Sequence, residues 1–160
     1  MRTLPDIAKL AISIGASQMA GVIGSIFTAR TVSSWYVTLR KPTWTPPGSV
    51  IGPVWISLYL VMGIAAFLVW RKGLEYAGVR IALLLFLVQL VINTLWSAAF
   101  FGLASPLAGF VVIVILWIAI VATIIAFMRV SLGAGLLLLP YLSWVSFAGV
   151  LNWSILIMNR

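Results

Sequence analysis

Neither histidine nor cysteine occurs anywhere in this chain, and its only carboxylates are Asp6 and Glu75. Without thiols there are no disulfides and no cysteine nucleophile. A protein metal site needs several N, S or O donors converging, so the expectation is no metal and no cofactor. General acid and base catalysis lacks its usual players, and a proton relay or carboxylate-coupled pump lacks the ionisable residues that mark such mechanisms inside a membrane. Charge itself is scarce, at 8% of 160 residues against roughly a quarter in a soluble domain.

What fills the chain is apolar: 64% of residues are hydrophobic. The apolar runs cover about 7 to 29, 50 to 70, 79 to 101, 106 to 128 and 132 to 158. Each is near the ~20 residues a helix needs to cross ~30 Å of hydrocarbon, and too long for a strand of a membrane barrel. The expected fold is an all-α, five-helix transmembrane bundle forming one domain over 1 to 160, in contact with membrane lipids. The first run is broken by Ser13, Ser17, Gln18, Gly21, Gly24 and Ser25; it reads as a retained helix rather than a signal segment. The net charge of +8 comes from ten Lys and Arg dispersed at helix ends. That pattern suits a membrane protein and leaves no basic stripe for nucleic acid.

Local signals refine the bundle. Ser13, Ser17, Gly21 and Ser25 recur every four residues, a ridge of small side chains that lets another helix approach. The spacing does not say whether that helix belongs to the same chain. Pro5, Pro53 and Pro106 lie near helix starts, where a missing amide costs little. Pro140 falls inside the fifth run and predicts a bend there. Only the first link, about 30 to 49, is long, and it contains WYVTLRKPTWTPP, residues 35 to 47. A segment so rich in rings and prolines has a stiff backbone and few donors, as a cap over an apolar pocket requires.

Facing residues point to the same place. Gln89, Asn93, Trp96 and Phe100 make one stripe of the third helix; Pro140, Trp144, Ala148 and Asn152 make one of the fifth. With Trp55 one turn inside the second helix, antiparallel packing brings these stripes into the half of the bundle nearest the long link. There they can line a cavity with residues 35 to 49 as its lid. The stripes and the second helix thus offer Trp55, Asn93, Trp96, Trp144, Ala148 and Asn152 as candidate ligand contacts, and Trp44 stands in the lid above them. Each has a plainer reading. Asn93 and Asn152 can serve as hydrogen-bonding glue between helices, Trp144 can be core packing, and Trp35, Trp70 and Trp153 suit an interfacial belt. Trp117 has no polar companion on its own helix face and reads as lipid-facing or packing.

The segments WYVTLRKPTWTPPGSVIGPVWISLYLVMGIA, NTLWSAAFF and PYLSWVSFAGVLNW resemble the TspO/MBR family of translocator proteins and tryptophan-rich sensory proteins. The resemblance implies a five-helix integral membrane protein of a prokaryotic cell membrane, commonly a homodimer, binding porphyrins or other flat lipophilic molecules under the first loop. The family pocket would fall on Tyr36, Pro46, Trp55, Asn93, Trp96, Trp144 and Ala148. The expected function is that of a receptor or sensor for a tetrapyrrole, protoporphyrin IX rather than haem because strong axial ligands are missing. An enzymatic alternative, light- and oxygen-dependent porphyrin breakdown, would use Trp55 and Trp144 as photo-redox partners. A second alternative, transport of porphyrin or lipophilic ligands, has no inverted repeat to support it. The cholesterol motif of animal members is absent near the C-terminus, where the first basic residue after Tyr141 is Arg160.

Overall fold

A computed structural model describes residues 4–160. Its helices are α1 (Asp6–Thr31), α2 (Trp35–Thr38), α3 (Gly48–Trp70), α4 (Val79–Ser97), α5 (Pro106–Val130), α6 (Leu132–Leu137) and α7 (Leu139–Met158), with a π-helical turn over Ala98–Gly102 extending α4. Five spans among the described residues are long and apolar enough to cross a membrane: α1, α3, α4 with its π turn, α5, and α6 joined to α7. The protein is therefore an all-helical, multi-pass bundle, and the observed spans begin and end within about two residues of the apolar runs.

Helix ends follow local chemistry. Asp6 sits in the first turn of α1, where a carboxylate complements the helix dipole, and pairs with Lys9 at 3.2 Å. Ser105 caps α5 by accepting a hydrogen bond from the Ala108 amide at 3.2 Å, with Pro106 as the first helical residue. Between α3 and α4 the chain turns through Gly73 and Gly78, at φ +94° and +86°, a region that glycine enters without steric cost. The π turn is tied to α1, whose Thr31 hydroxyl donates to the Phe101 carbonyl at 2.9 Å.

Two prolines behave differently. The fifth span breaks at Leu138, and Pro140 lies in the first turn of α7, so the expected bend is a full interruption between two helices. Pro53 is the correction. Because α3 begins at Gly48, Pro53 stands inside the helix in its second turn rather than at its start.

The ridge on α1 finds its partner within the chain. A Cβ on Gly21 would meet the Tyr59 ring of α3, and a Cβ on Gly63 of α3 would fall 2.6 Å from the Ile14 Cα. The two helices thus touch nearly backbone to backbone. Away from the first link, Met62, Ala65, Val69, Val79, Ala82, Ile120, Phe127 and Ala134 are completely buried. Outward faces carry Ile7, Ile81, Leu84, Val91 and Ile118, all exposed and suited to hydrocarbon.

Candidate functional site

Toward the first link the helices separate around a cavity of about 950 Å³. Its wall comes from the last turns of α1, the first turns of α3, the end of α4 and its π turn, the middle turns of α7, and the link itself. α5 supplies none of this lining; it packs behind α4 and α7. Eight of the nine candidate residues line the cavity: Tyr36, Pro46, Trp55, Asn93, Trp96, Trp144, Ala148 and Asn152.

Trp44 is not among them. Its ring packs edge-on against Phe147 at 5.7 Å and the residue is 46% exposed, so it lies on the outer side of the lid. The reason is backbone direction: the turn closed by the Thr45 amide on the Pro42 carbonyl sends Thr45 and Pro46 inward and their neighbour outward. Trp117 is 42% exposed on the outer face, as expected, and donates its indole N–H to the Ser146 hydroxyl of the neighbouring helix at 2.8 Å. Trp35 is half-buried against Phe100 at 5.5 Å, a packing role more than a belt position.

The amides that face the cavity are already engaged. Tyr59 donates to Asn93 Oδ1 at 2.5 Å, Asn93 Nδ2 donates to the Tyr141 oxygen at 2.9 Å, and the Tyr141 hydroxyl donates to Gln89 Oε1 at 2.9 Å. This buried chain crosses α3, α4 and α7. Higher up, Trp96 donates its indole N–H to Asn152 Oδ1 at 3.3 Å, and Asn152 Nδ2 donates to the Pro106 carbonyl at 2.8 Å. Gly109 makes room for that amide, since a Cβ there would stand 2.9 Å from Asn152 Oδ1. Both asparagines thus act as interhelical glue at the cavity wall.

What the cavity presents instead is ring surface. Trp55 stacks on Tyr59 (5.6 Å between centroids, 27° between planes), Trp96 stacks on Phe100 (5.6 Å, 24°), and Trp144 leans on Phe147 (5.4 Å, 35°). The Trp144 indole nitrogen and Gln89 Nε2 are buried with no hydrogen-bond partner. Ala148, one turn beyond Trp144, keeps the wall shallow beside the indole.

The lid is fixed at several points. Asn159, at the end of α7, accepts from the Arg40 amide at 2.9 Å and donates to the Arg40 carbonyl at 2.8 Å, a two-point clamp. Lys41 Nζ donates to the carbonyls of Tyr36 and Leu39 at 2.8 and 3.0 Å and lies 4.7 Å from the Tyr36 ring centroid. Burial raises the pKa of the Tyr36 phenol above its ordinary value, so it stays protonated. Lys41, Tyr59, Tyr141 and Asn159 lie outside the candidate set that helix faces and motifs suggest. Tyr59 and Tyr141 carried a usable signal, four residues after Trp55 and three before Trp144.

Five apolar spans around an aromatic-walled, lidded cavity define an integral membrane protein with a built internal compartment at one end. The chain belongs to the TspO/MBR family, whose model matches residues 13–158. It is 50% identical over 154 residues to the tryptophan-rich protein TspO of Chlorobaculum tepidum, covering 96% of this chain and 98% of that one. A tryptophan-rich sensory protein of Cereibacter sphaeroides is 38% identical over 125 residues, covering 78% and 77%. The human translocator protein is 37% identical over 142 residues, covering 88% and 83%. With its prokaryotic relatives, this chain is a multi-pass protein of the cell membrane.

Proposed function

We propose that this protein is a membrane receptor for porphyrin-type tetrapyrroles, protoporphyrin IX foremost, that acts on their level or on the response to them. The observation that carries the reading is the cavity: about 950 Å³, near the top of the ~300–1,000 Å³ range of small-molecule sites. Indole, phenol and phenyl rings from α3, α4 and α7 line its wall, and a proline-stiffened link covers it. A large planar ligand gains dispersion and apolar burial from such walls without needing many polar contacts. The test is titration of the purified protein with protoporphyrin IX while following tryptophan fluorescence. Saturable quenching at micromolar ligand is expected, and its absence would sink the reading.

Light- and oxygen-dependent porphyrin breakdown is the second reading, favoured by one arrangement. Trp55 and Trp144 both line the cavity, and Trp55 is stacked on a tyrosine, so an indole radical cation formed beside an excited porphyrin has an adjacent electron donor. Product spectra under illumination for Trp55→Phe and Trp144→Phe decide it. Equal porphyrin loss in both variants and in the unchanged protein assigns the chemistry to the pigment alone.

A further inference from the structure

Among the described residues, the cavity wall carries one charged side chain, Lys41. The only two side-chain carboxylates of the protein are far from it in the fold. Asp6 opens α1 and pairs with Lys9, and Glu75 sits in the α3–α4 turn and pairs with Arg80 at 2.7 Å; both positions are at the end of the bundle opposite the lid. At the lid end Arg30, Arg40, Lys41 and Arg160 therefore face no acidic side chain. Lys41 uses two of its three N–H donors on neutral carbonyls and lies over the Tyr36 ring, which leaves one donor free and the charge with no anionic side chain beside it at the cavity. A cation partly withdrawn from water gains most from an anion.

We infer that the cavity selects amphiphiles: a flat apolar body against the rings and a carboxylate under the lid, held by the Lys41 ammonium. This rests on the cavity being the ligand site, as proposed above, and it names the feature that divides good ligands from poor ones of the same shape. Lys41 also ties the lid turn together through the Tyr36 and Leu39 carbonyls, and a purely structural lysine would matter equally to charged and neutral ligands. The two roles separate by chemistry.

The experiment compares protoporphyrin IX with its dimethyl ester, and pyrenebutyrate with its methyl ester, on the full chain in an uncharged detergent. The proteins are the unchanged one, Lys41→Gln and Lys41→Arg. The readout is the ratio of acid to ester affinity in each variant, so that unequal partitioning into micelles cancels between proteins. Lys41→Gln should lower that ratio by about tenfold or more, the scale of one charge-assisted hydrogen bond, while Lys41→Arg keeps it within a few-fold. An unchanged ratio in Lys41→Gln, or acid and ester weakening together, overturns the inference and leaves Lys41 a lid tie. A ratio that collapses when anionic phospholipid is added to the micelles also overturns it, because the anion is then a lipid headgroup. The outcomes for the receptor reading are distinct. If both porphyrins bind with no dependence of the ratio on Lys41, the receptor stands and the carboxylate anchor falls. If only the pyrene pair binds and its ratio drops in Lys41→Gln, the anchor stands and the tetrapyrrole falls. If none of the four binds, both fall.

Discussion

The same helices pack in two ways along their length. At the end away from the lid, Ala65, Ala66, Ala82, Ala134 and Gly63 bring backbones close, and Met62, Val69, Phe127 and Ile120 fill what remains with no solvent exposure. At the lid end the contact residues are Trp55, Tyr59, Trp96, Phe100 and Trp144, too large and too rigid to interdigitate, and they stand apart around about 950 Å³. Small residues purchase contact; large rings, braced in pairs, hold a space open. The difference shows that side-chain size separates the tight half from the open one, with α5 packed behind α4 and α7. One half should answer to mutation through stability, the other through ligand affinity.

The largest effect belongs to the tight half. In Gly63→Ala the new methyl meets Ile14 backbone atoms at 2.6 and 2.9 Å, and no side-chain rotation can relieve that. The expected loss is about 3 kcal/mol, at the upper end of overpacking costs. It would be measured as a fall in melting temperature in detergent, with porphyrin affinity kept in the folded fraction. Unchanged stability would mean that α1 and α3 slide freely, and the two-halves picture would fail.

Asn93→Leu probes the boundary between the halves. It takes the acceptor of the buried Tyr59 hydroxyl and the donor to Tyr141, while Tyr141 keeps its bond to Gln89. A loss of about 2 kcal/mol of stability is expected for a buried group left unpaired. Affinity should fall with it, since the Trp55 and Tyr59 stack loses its anchor. Lost affinity at full stability would show that the amide is read by the ligand rather than spent between helices.

How much of this was legible in the sequence follows from what a helix period can report. It placed Gln89, Asn93, Trp96 and Phe100 on one face, and Trp144, Ala148 and Asn152 on another, because 3.6 residues per turn fixes faces without knowledge of partners. It also placed the lid, through the prolines. It did not show that Asn93 is bonded to two tyrosines on different helices, nor that Trp117 reaches Ser146, because those pairings depend on rotation and register between helices. Trp44 was misplaced for a related reason: in a non-helical link there is no period, and single turns decide which side chains face inward. Asn159 and Lys41 act on backbone carbonyls of the lid, and sequence offers no pattern for contacts between a side chain and distant backbone.

Ala148→Leu is the sharpest test of the open half. The added carbons extend from the cavity wall beside Trp144 into open volume, so the overpacking that a closed core would suffer is avoided. Affinity for protoporphyrin IX should fall about tenfold or more, equivalent to ~1.4 kcal/mol, while the melting temperature is nearly kept. The reverse result, stability lost and affinity kept in the surviving fraction, would mean that α4 and α7 pack against each other at this point.

The smallest expected effect concerns the lid, which is held to the end of α7 by exposed hydrogen bonds. Asn159→Ala removes the clamp on Arg40 and a further bond from Asn159 Nδ2 to the Ile155 carbonyl at 2.8 Å. Water can replace these partners, so stability should drop by no more than about 1 kcal/mol. The lid retains Lys41 on its own carbonyls and the stiffness of Pro42, Pro46 and Pro47, and equilibrium affinity should change only a few-fold. Kinetics should report more than equilibrium does: with the α7 end of the clamp gone, lid opening becomes easier, and porphyrin dissociation and amide exchange over residues 39 to 45 should both accelerate. Faster exchange with unchanged dissociation would show that ligand leaves sideways between α1 and α3, whose exposed Val22 and Ile56 also border the cavity, and that the lid is a wall rather than a door.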